Sequence, residues 1–209
     1  MLSHSRGFLA LSNERQISFD KTEIDIVSKA EIGATREITP NAAKVLDQLA
    51  AVIGGTVAHD GKDFFVAKTL QNIKVSFCFE ASGYRKLGLL WKLLRNGLLE
   101  NGSVLFWDEP ENSLNPELVT VLVDILLTLA RNGVQIFLAT HNYHLARYFD
   151  VRKNKSIPVM YHNLSKAGDQ IICNSSHEYI MSPDNLLEKA GEDLFNAVIA
   201  DAMGVQNDE

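Results

Sequence analysis

The chain has 209 residues, 46% apolar and 22% charged, with a formal net charge of −6. That length buries roughly 70% of its unfolded surface as one ordinary domain, and the composition excludes a disordered or fibrous chain. The acidic balance also excludes a grip on nucleic acid through a general basic field, which needs clustered Lys and Arg, and leaves Tyr84-Arg85-Lys86 as one local basic patch.

The N-terminal stretch MLSHSRGFLALSNERQ has too short an apolar run for a secretion signal. The longest apolar stretch, Leu118 to Ala130, is interrupted by Asp124 and too short to cross a bilayer. The expectation is a soluble, cytoplasmic protein with no membrane partner. Cys78 and Cys173 sit in apolar stretches and read as small buried hydrophobes of a reducing compartment.

In chain order, GFLALS and QISF read as short strands, followed by a polar, helix-leaning stretch up to Ile38. Thr39-Pro40 opens a helix, with Val45, Leu46, Leu49, Val52 and Ile53 at helical spacing and Gly54-Gly55 as the stop. TVAHDGKDFFVA is a hairpin around Asp60-Gly61, and NIKVSFCF, residues 72–79, reads as a further strand. From Ser82 a helix runs to about Arg95, with Leu87, Leu90 and Leu94 on one face. Val104 to Trp107 is predicted as a buried strand, Asn115-Pro116 opens a helix apolar nearly all round, and Val134 to Ala139 is a second buried strand. Strand, helix of about four turns, strand is the βαβ unit of a parallel sheet. Residues 157–164 and 170–174 form a hairpin, and Ser182-Pro183 caps a closing helical region up to about Met203.

In an open parallel sheet, ligands sit beyond the carboxyl ends of the strands. Asp108-Glu109 follows one strand directly and Thr140-His141 follows the other, which delivers two carboxylates and an imidazole to one edge. The chemistry that fits is phosphoryl transfer to water: one carboxylate for Mg²⁺, one for the attacking water, an imidazole for the transferred phosphate.

VLFWDEPENSLNP resembles the Walker B and D-loop segment of ABC-type ATPases, FLATHN their switch-histidine segment, and EASGYRKLGLLWKLL their signature motif and helix. GFLALSNERQISFD and SGYRKLG with NGSVLFWDEPE look like the AAA-family ATPases of the ABC/SMC superfamily. The resemblance implies an α/β fold: a parallel-sheet P-loop NTPase (ABC ATPase-like) core, incomplete at its N-terminus, with β-hairpin and helical additions. Residues 1–209 would be a single ABC-type domain fragment: signature helix 82–96, Walker B and D-loop 104–116, switch-histidine strand 134–142, C-terminal hairpin and helices 157–203.

The same resemblance assigns roles. Asp108 would be the Mg²⁺-associated carboxylate, Glu109 the general base and His141 the switch histidine reaching the γ-phosphate. Ser82 and Gly83, with Arg85 and the D-loop Asn115, would act on ATP held by a partner subunit. Tyr84 departs from the second Gly of the transporter ATPases, and Asn115 from the usual Asp of the D-loop. A His141-x-x-His144 pair has no Cys, Asp or Glu nearby to complete a metal site.

The phosphate-binding loop G-x-x-x-x-G-K-[ST] of such enzymes does not occur in the sequence. Gly61-Lys62 has Thr56 where the first Gly belongs and is followed by Asp63; Gly83 and Gly88 have the spacing but are followed by Leu89-Leu90. The chain therefore resembles the C-terminal two-thirds of the ATPase and is expected to be inactive alone. Its 134–139 strand is expected to lack a neighbour, leaving an edge that invites association. Three readings follow: a part of an ATP-hydrolysing, nucleotide-gated homodimer; one half of a split ATPase completed by a P-loop-bearing partner chain; or a non-catalytic interaction module. A nuclease or DNA effector is compatible with all three.

Overall fold

The computed structural model describes residues 21–31, 33–34, 37–61, 63–154, 157–181 and 185–203. The strands predicted within GFLALS and QISF, and the Ser182-Pro183 cap, lie outside the described residues. The chain forms two compact units, one ending at Leu138 and the other beginning at Ala139.

In the first unit, α1 (Lys21–Glu31) leads to α2 (Pro40–Ile53), which starts and stops where its residues dictate. The Thr39 hydroxyl accepts the Ala42 amide at 3.2 Å, Pro40 occupies the first turn, and Gly54 ends the helix at φ 74°. Val45, Leu46, Leu49 and Ile53 are buried on one face, while Val52 is half-buried. That face packs on α3 (Ser82–Arg95), α4 (Pro116–Arg131) and β1 (Gly55–His59). β1 and β2 (Phe64–Lys68) form the expected hairpin, in a register running from Gly55 opposite Lys68 to His59 opposite Phe64.

β3 (Ile73–Ser76) is shorter than the predicted 72–79 strand. The Phe79 amide turns back to the Ser76 carbonyl, which buries Phe77 and leaves Phe79 85% exposed. Cys78 lies half-buried in this turn and Cys173 is exposed in the second unit, so neither is the buried hydrophobe expected, and the two do not form a disulfide.

The predicted βαβ unit is present as β4 (Val104–Asp108), α4 and β5 (Gln135–Ala139). Asn115 caps α4 by accepting the Glu117 amide at 3.1 Å, and the helix buries Val119, Leu122, Val123, Ile125, Leu126, Leu127 and Leu129. The Gln135 amide donates to the Ser103 carbonyl at 2.9 Å, and Phe106 lies beside Phe137 farther along. The paired positions rise together along both strands, so β4 and β5 run parallel.

The expectation that both strands are buried is corrected. Their residues alternate between half-buried (Leu105, Trp107, Ile136, Leu138) and exposed (Val104, Phe106, Gln135, Phe137). Phe106 is 75% and Phe137 43% exposed, and the two rings stack at 4.8 Å with their planes 9° apart. Strand side chains alternate across a sheet, so a pair covered on one side only leaves every second residue open.

In the second unit, α5 (Tyr143–Arg152) packs on α6 (Leu186–Ala202), and β6 (Tyr161–Ala167) pairs antiparallel with β7 (Gln170–Ser176) around a two-residue turn. Asp150 draws the unit together: it pairs with Arg147 at 3.1 Å and Lys153 at 2.7 Å, and accepts the Tyr179 amide at 3.3 Å.

Candidate functional site

The first unit gathers six of the seven predicted site residues around two segments, the start of α3 and the chain leaving β4. Ala81, not Ser82, occupies the N-cap position of α3, and among the described residues no side chain caps this helix. Ser82 is thus the first helical residue, which leaves its hydroxyl outside any capping role. Gly83 is buried against the loop that follows β4. A methyl group placed on it would stand 2.6 Å from the Ser113 carbonyl oxygen and 2.8 Å from a Leu114 methyl carbon. Only glycine allows so close an approach of two backbones. Gly88 is another packing glycine, with the Phe77 ring 2.8 Å from where its Cβ would be. Arg85 is half-buried, and its Nε finds no hydrogen-bond partner among the described residues. Farther along α3, burial and then the charge of Arg95 push the Lys92 ammonium below its ordinary pKa.

Asp108 closes β4 and is exposed on the same side of the strand as Phe106. Glu109 turns away sharply. Its φ is 44°, in the left-handed region that costs a non-glycine residue about 1–2 kcal/mol. Two donors hold its carbonyl: the Asn112 amide at 3.1 Å and the Lys86 ammonium of α3 at 2.9 Å. The Asn112 side-chain amide reaches the Glu109 carboxylate at 3.3 Å. A second tight turn follows, from the Leu114 amide to the Glu111 carbonyl at 2.9 Å, with Ser113 at φ 66°. Asn115 then caps α4, so its side chain is engaged in holding the helix.

His141 belongs to the second unit, in the segment that leads from β5 into α5. It is exposed. The Thr140 hydroxyl accepts the Asn142 amide at 2.9 Å, and the Asn142 side chain accepts the Leu145 amide at 3.1 Å to cap α5. Among the described residues no group of three His, Cys, Asp or Glu is placed to hold a metal, His141 and His144 included.

Three contributors were not read as site residues from the sequence. Lys86 was visible only as part of a basic patch, Asn112 carries no motif signal, and the positive φ values of Glu109 and Ser113 have no sequence signature in residues other than Gly, Asn or Asp.

Residues 13–147, well over half of the chain, match the family described as "AAA domain, putative AbiEii toxin, Type IV TA system". The chain belongs to this AAA family. Curated relatives are similar over a shorter stretch. The glutamine transport ATP-binding protein GlnQ of Bacillus subtilis is 32% identical over 54 residues, 26% of this chain and 22% of the relative. The glutamate transport ATP-binding protein GluA of Corynebacterium glutamicum matches to the same extent. The match thus spans about a fifth of the length of these transport ATPases. Among solved structures, one from work on ATP-driven dimerization and DNA-stimulated activation of SMC ATPases superposes with a TM-score of 0.51 at 13% identity. It covers 85% of this chain and 97% of its own. The fold of this AAA-family chain is therefore the α/β, parallel-sheet fold of ABC/SMC-like ATPases. No helix among the described residues is long and apolar enough to cross a membrane.

Proposed function

We propose that this chain supplies the γ-phosphate-facing half of an ABC/SMC-like ATPase site: ATP hydrolysis on Asp108 and Glu109, with Ser82-Gly83 capping a nucleotide held by a partner subunit and His141 contacting the transferred phosphate. The observation that carries the reading is the pair of carboxylates at the end of β4, in a loop packed directly on the first turn of α3 through Gly83 and Ser113.

The donor set fits the cofactors. Mg²⁺ takes oxygen ligands and is usually held by one or two carboxylates together with substrate phosphates and water, rather than by an all-protein cage. An exposed Asp108 carboxylate is compatible with that mode of binding. When bound, the ion would neutralise charge on the phosphates. The chain's own residues would do the rest. Glu109 would orient and deprotonate the attacking water. The uncapped first turn of α3 would offer backbone N–H groups and the Ser82 hydroxyl to an anion. Asn115 is committed to capping α4, so its part at the D-loop would be to hold that loop's shape rather than to carry charge.

The nucleotide-holding G-x-x-x-x-G-K-[ST] loop would come from another segment or another chain. The exposed Phe106–Phe137 face favours an assembly in which something covers β4 and β5, and it supports a split ATPase or an interaction module alongside the homodimer. The test is turnover measured in the presence of the P-loop-bearing part. Glu109→Gln should lower kcat by about a hundred- to ten-thousandfold and trap the closed, ATP-bound dimer. Turnover that survives the change removes Glu109 as the base.

A further inference from the structure

We propose that Lys86 is a positioning residue that ties the orientation of Glu109 to the position of α3. The proposal rests on the ATPase reading of Glu109, while the contact itself does not.

Lys86 lies one turn into α3, and its half-buried side chain crosses to the loop after β4, where the ammonium donates to the Glu109 carbonyl at 2.9 Å. That carbonyl already accepts the Asn112 amide at 3.1 Å, so it is the fixed point of the turn that reverses the chain after the carboxylates. Glu109 holds a left-handed backbone, φ 44°, which an unconstrained Glu would leave. A charged donor is stronger than a neutral one, and here it acts at the residue whose side-chain direction depends on that strained dihedral.

A second contact makes the connection stiff. Gly83 packs on the Ser113 carbonyl one turn earlier in α3, so the helix touches the loop at two points, before and after Asn112. A displacement of α3 cannot be absorbed at one contact without straining the other. If Ser82-Gly83 engage a nucleotide held by a partner, that engagement reaches the Glu109 backbone in the same chain through Lys86. The carboxylate would then be aligned when the site in trans is filled.

Amide hydrogen exchange on the 209-residue chain, read by mass spectrometry over residues 109–114 and over the buried interior of α4, tests this. The quantity measured is the ratio of exchange rates at these two places. Lys86→Met, which keeps the stem and removes the donor, should raise the ratio about tenfold, the loss expected for one hydrogen bond from a charged group. Lys86→Arg should restore it. A ratio unchanged in Lys86→Met overturns the proposal, and so does a general loss of stability, because that speeds both regions alike. A raised ratio that Lys86→Arg does not restore also overturns it. The ATPase reading fails separately: if Glu109→Gln keeps turnover with the P-loop-bearing part present, Glu109 is not the base, and the exchange result is unaffected.

Discussion

Gly83 and Ser113 meet so closely that the first turn of α3 and the loop after the Asp108-Glu109 pair form one packed piece. A Cβ on Gly83 would stand 2.6 Å from the Ser113 carbonyl oxygen, inside any tolerable carbon–oxygen contact. The neighbour is backbone, which cannot swing aside as a flexible side chain would. Gly83→Ala should therefore destabilise the first unit by about 1–3 kcal/mol, the usual cost of overpacking. Thermal unfolding followed by circular dichroism measures it; a melting temperature equal to that of the parent chain would show that the contact is looser than the geometry demands.

A change at Ser82 tests the proposed assembly separately from the proposed catalysis. Ser82 is half-buried at the first helical position, where its hydroxyl does not cap the helix. Ser82→Arg puts a long side chain beside the tight Gly83–Ser113 contact but lets its charged end reach solvent, so it should destabilise the chain by no more than about 1 kcal/mol and leave it folded. It should also abolish nucleotide-dependent assembly with the partner. Assembly that persists, measured by analytical ultracentrifugation with ATP and Mg²⁺, would remove Ser82 from the interface.

The open face of β4 and β5 predicts association. Phe106 and Phe137 stack on each other, and Val104 is exposed beside them on the same side of the sheet. A strand pair with an exposed apolar face is a template for contact with another chain. The 209-residue chain alone should sediment as concentration-dependent oligomers and bind a hydrophobic dye. Phe106→Ser with Phe137→Ser should reduce both signals. A monodisperse monomer that melts cooperatively would contradict the prediction.

Alkaline pH should weaken the second unit. Burial pushes the Tyr179 phenol up to about 12, with nearby Glu188 and Tyr143 acting in the same direction and the Asn185 side chain and Arg147 against it. Tyr161 is raised as well, by burial first and by the charge of Asp150 second. A phenol whose pKa is higher folded than unfolded holds its proton longer in the native state. Its contribution is complete below pH about 10 and is lost as pH rises towards 12. Tyr161 has a buried hydroxyl with no hydrogen-bond partner among the described residues. Tyr161→Phe should thus keep or slightly raise stability at pH 7 and flatten the alkaline loss. Chemical denaturation at pH 7, 10 and 11.5 checks the sign, and a steeper loss in Tyr161→Phe would reverse the assignment.

What the sequence determined by itself is local. The cap at Thr39, the Gly54 stop, the hairpin around Asp60-Gly61, the Asn115-Pro116 start and the strand–helix–strand order are each written within a few neighbouring residues, and the structure contains them all. The Asp108-Glu109 pair was legible for the same reason, as a charged break directly after an apolar run.

Other features were decided only by segments brought together from a distance. NIKVSFCF has strand composition throughout, but its last residues curl into a turn because Phe77 bonds to Phe64 and is buried. Val104 to Trp107 is apolar on both sides, and composition cannot report that only one side is covered. Residues 143–152 mix aromatic, basic and apolar side chains without a clear period, and become a helix under the Asn142 cap and packing against α6. Lys86 acquires meaning only when α3 lies across the loop 23 positions later and its ammonium reaches the Glu109 carbonyl. A chain specifies its short-range dihedrals through propensity and capping, whereas which side of a strand is covered and which carbonyl a lysine finds depend on contacts that exist only in the folded molecule.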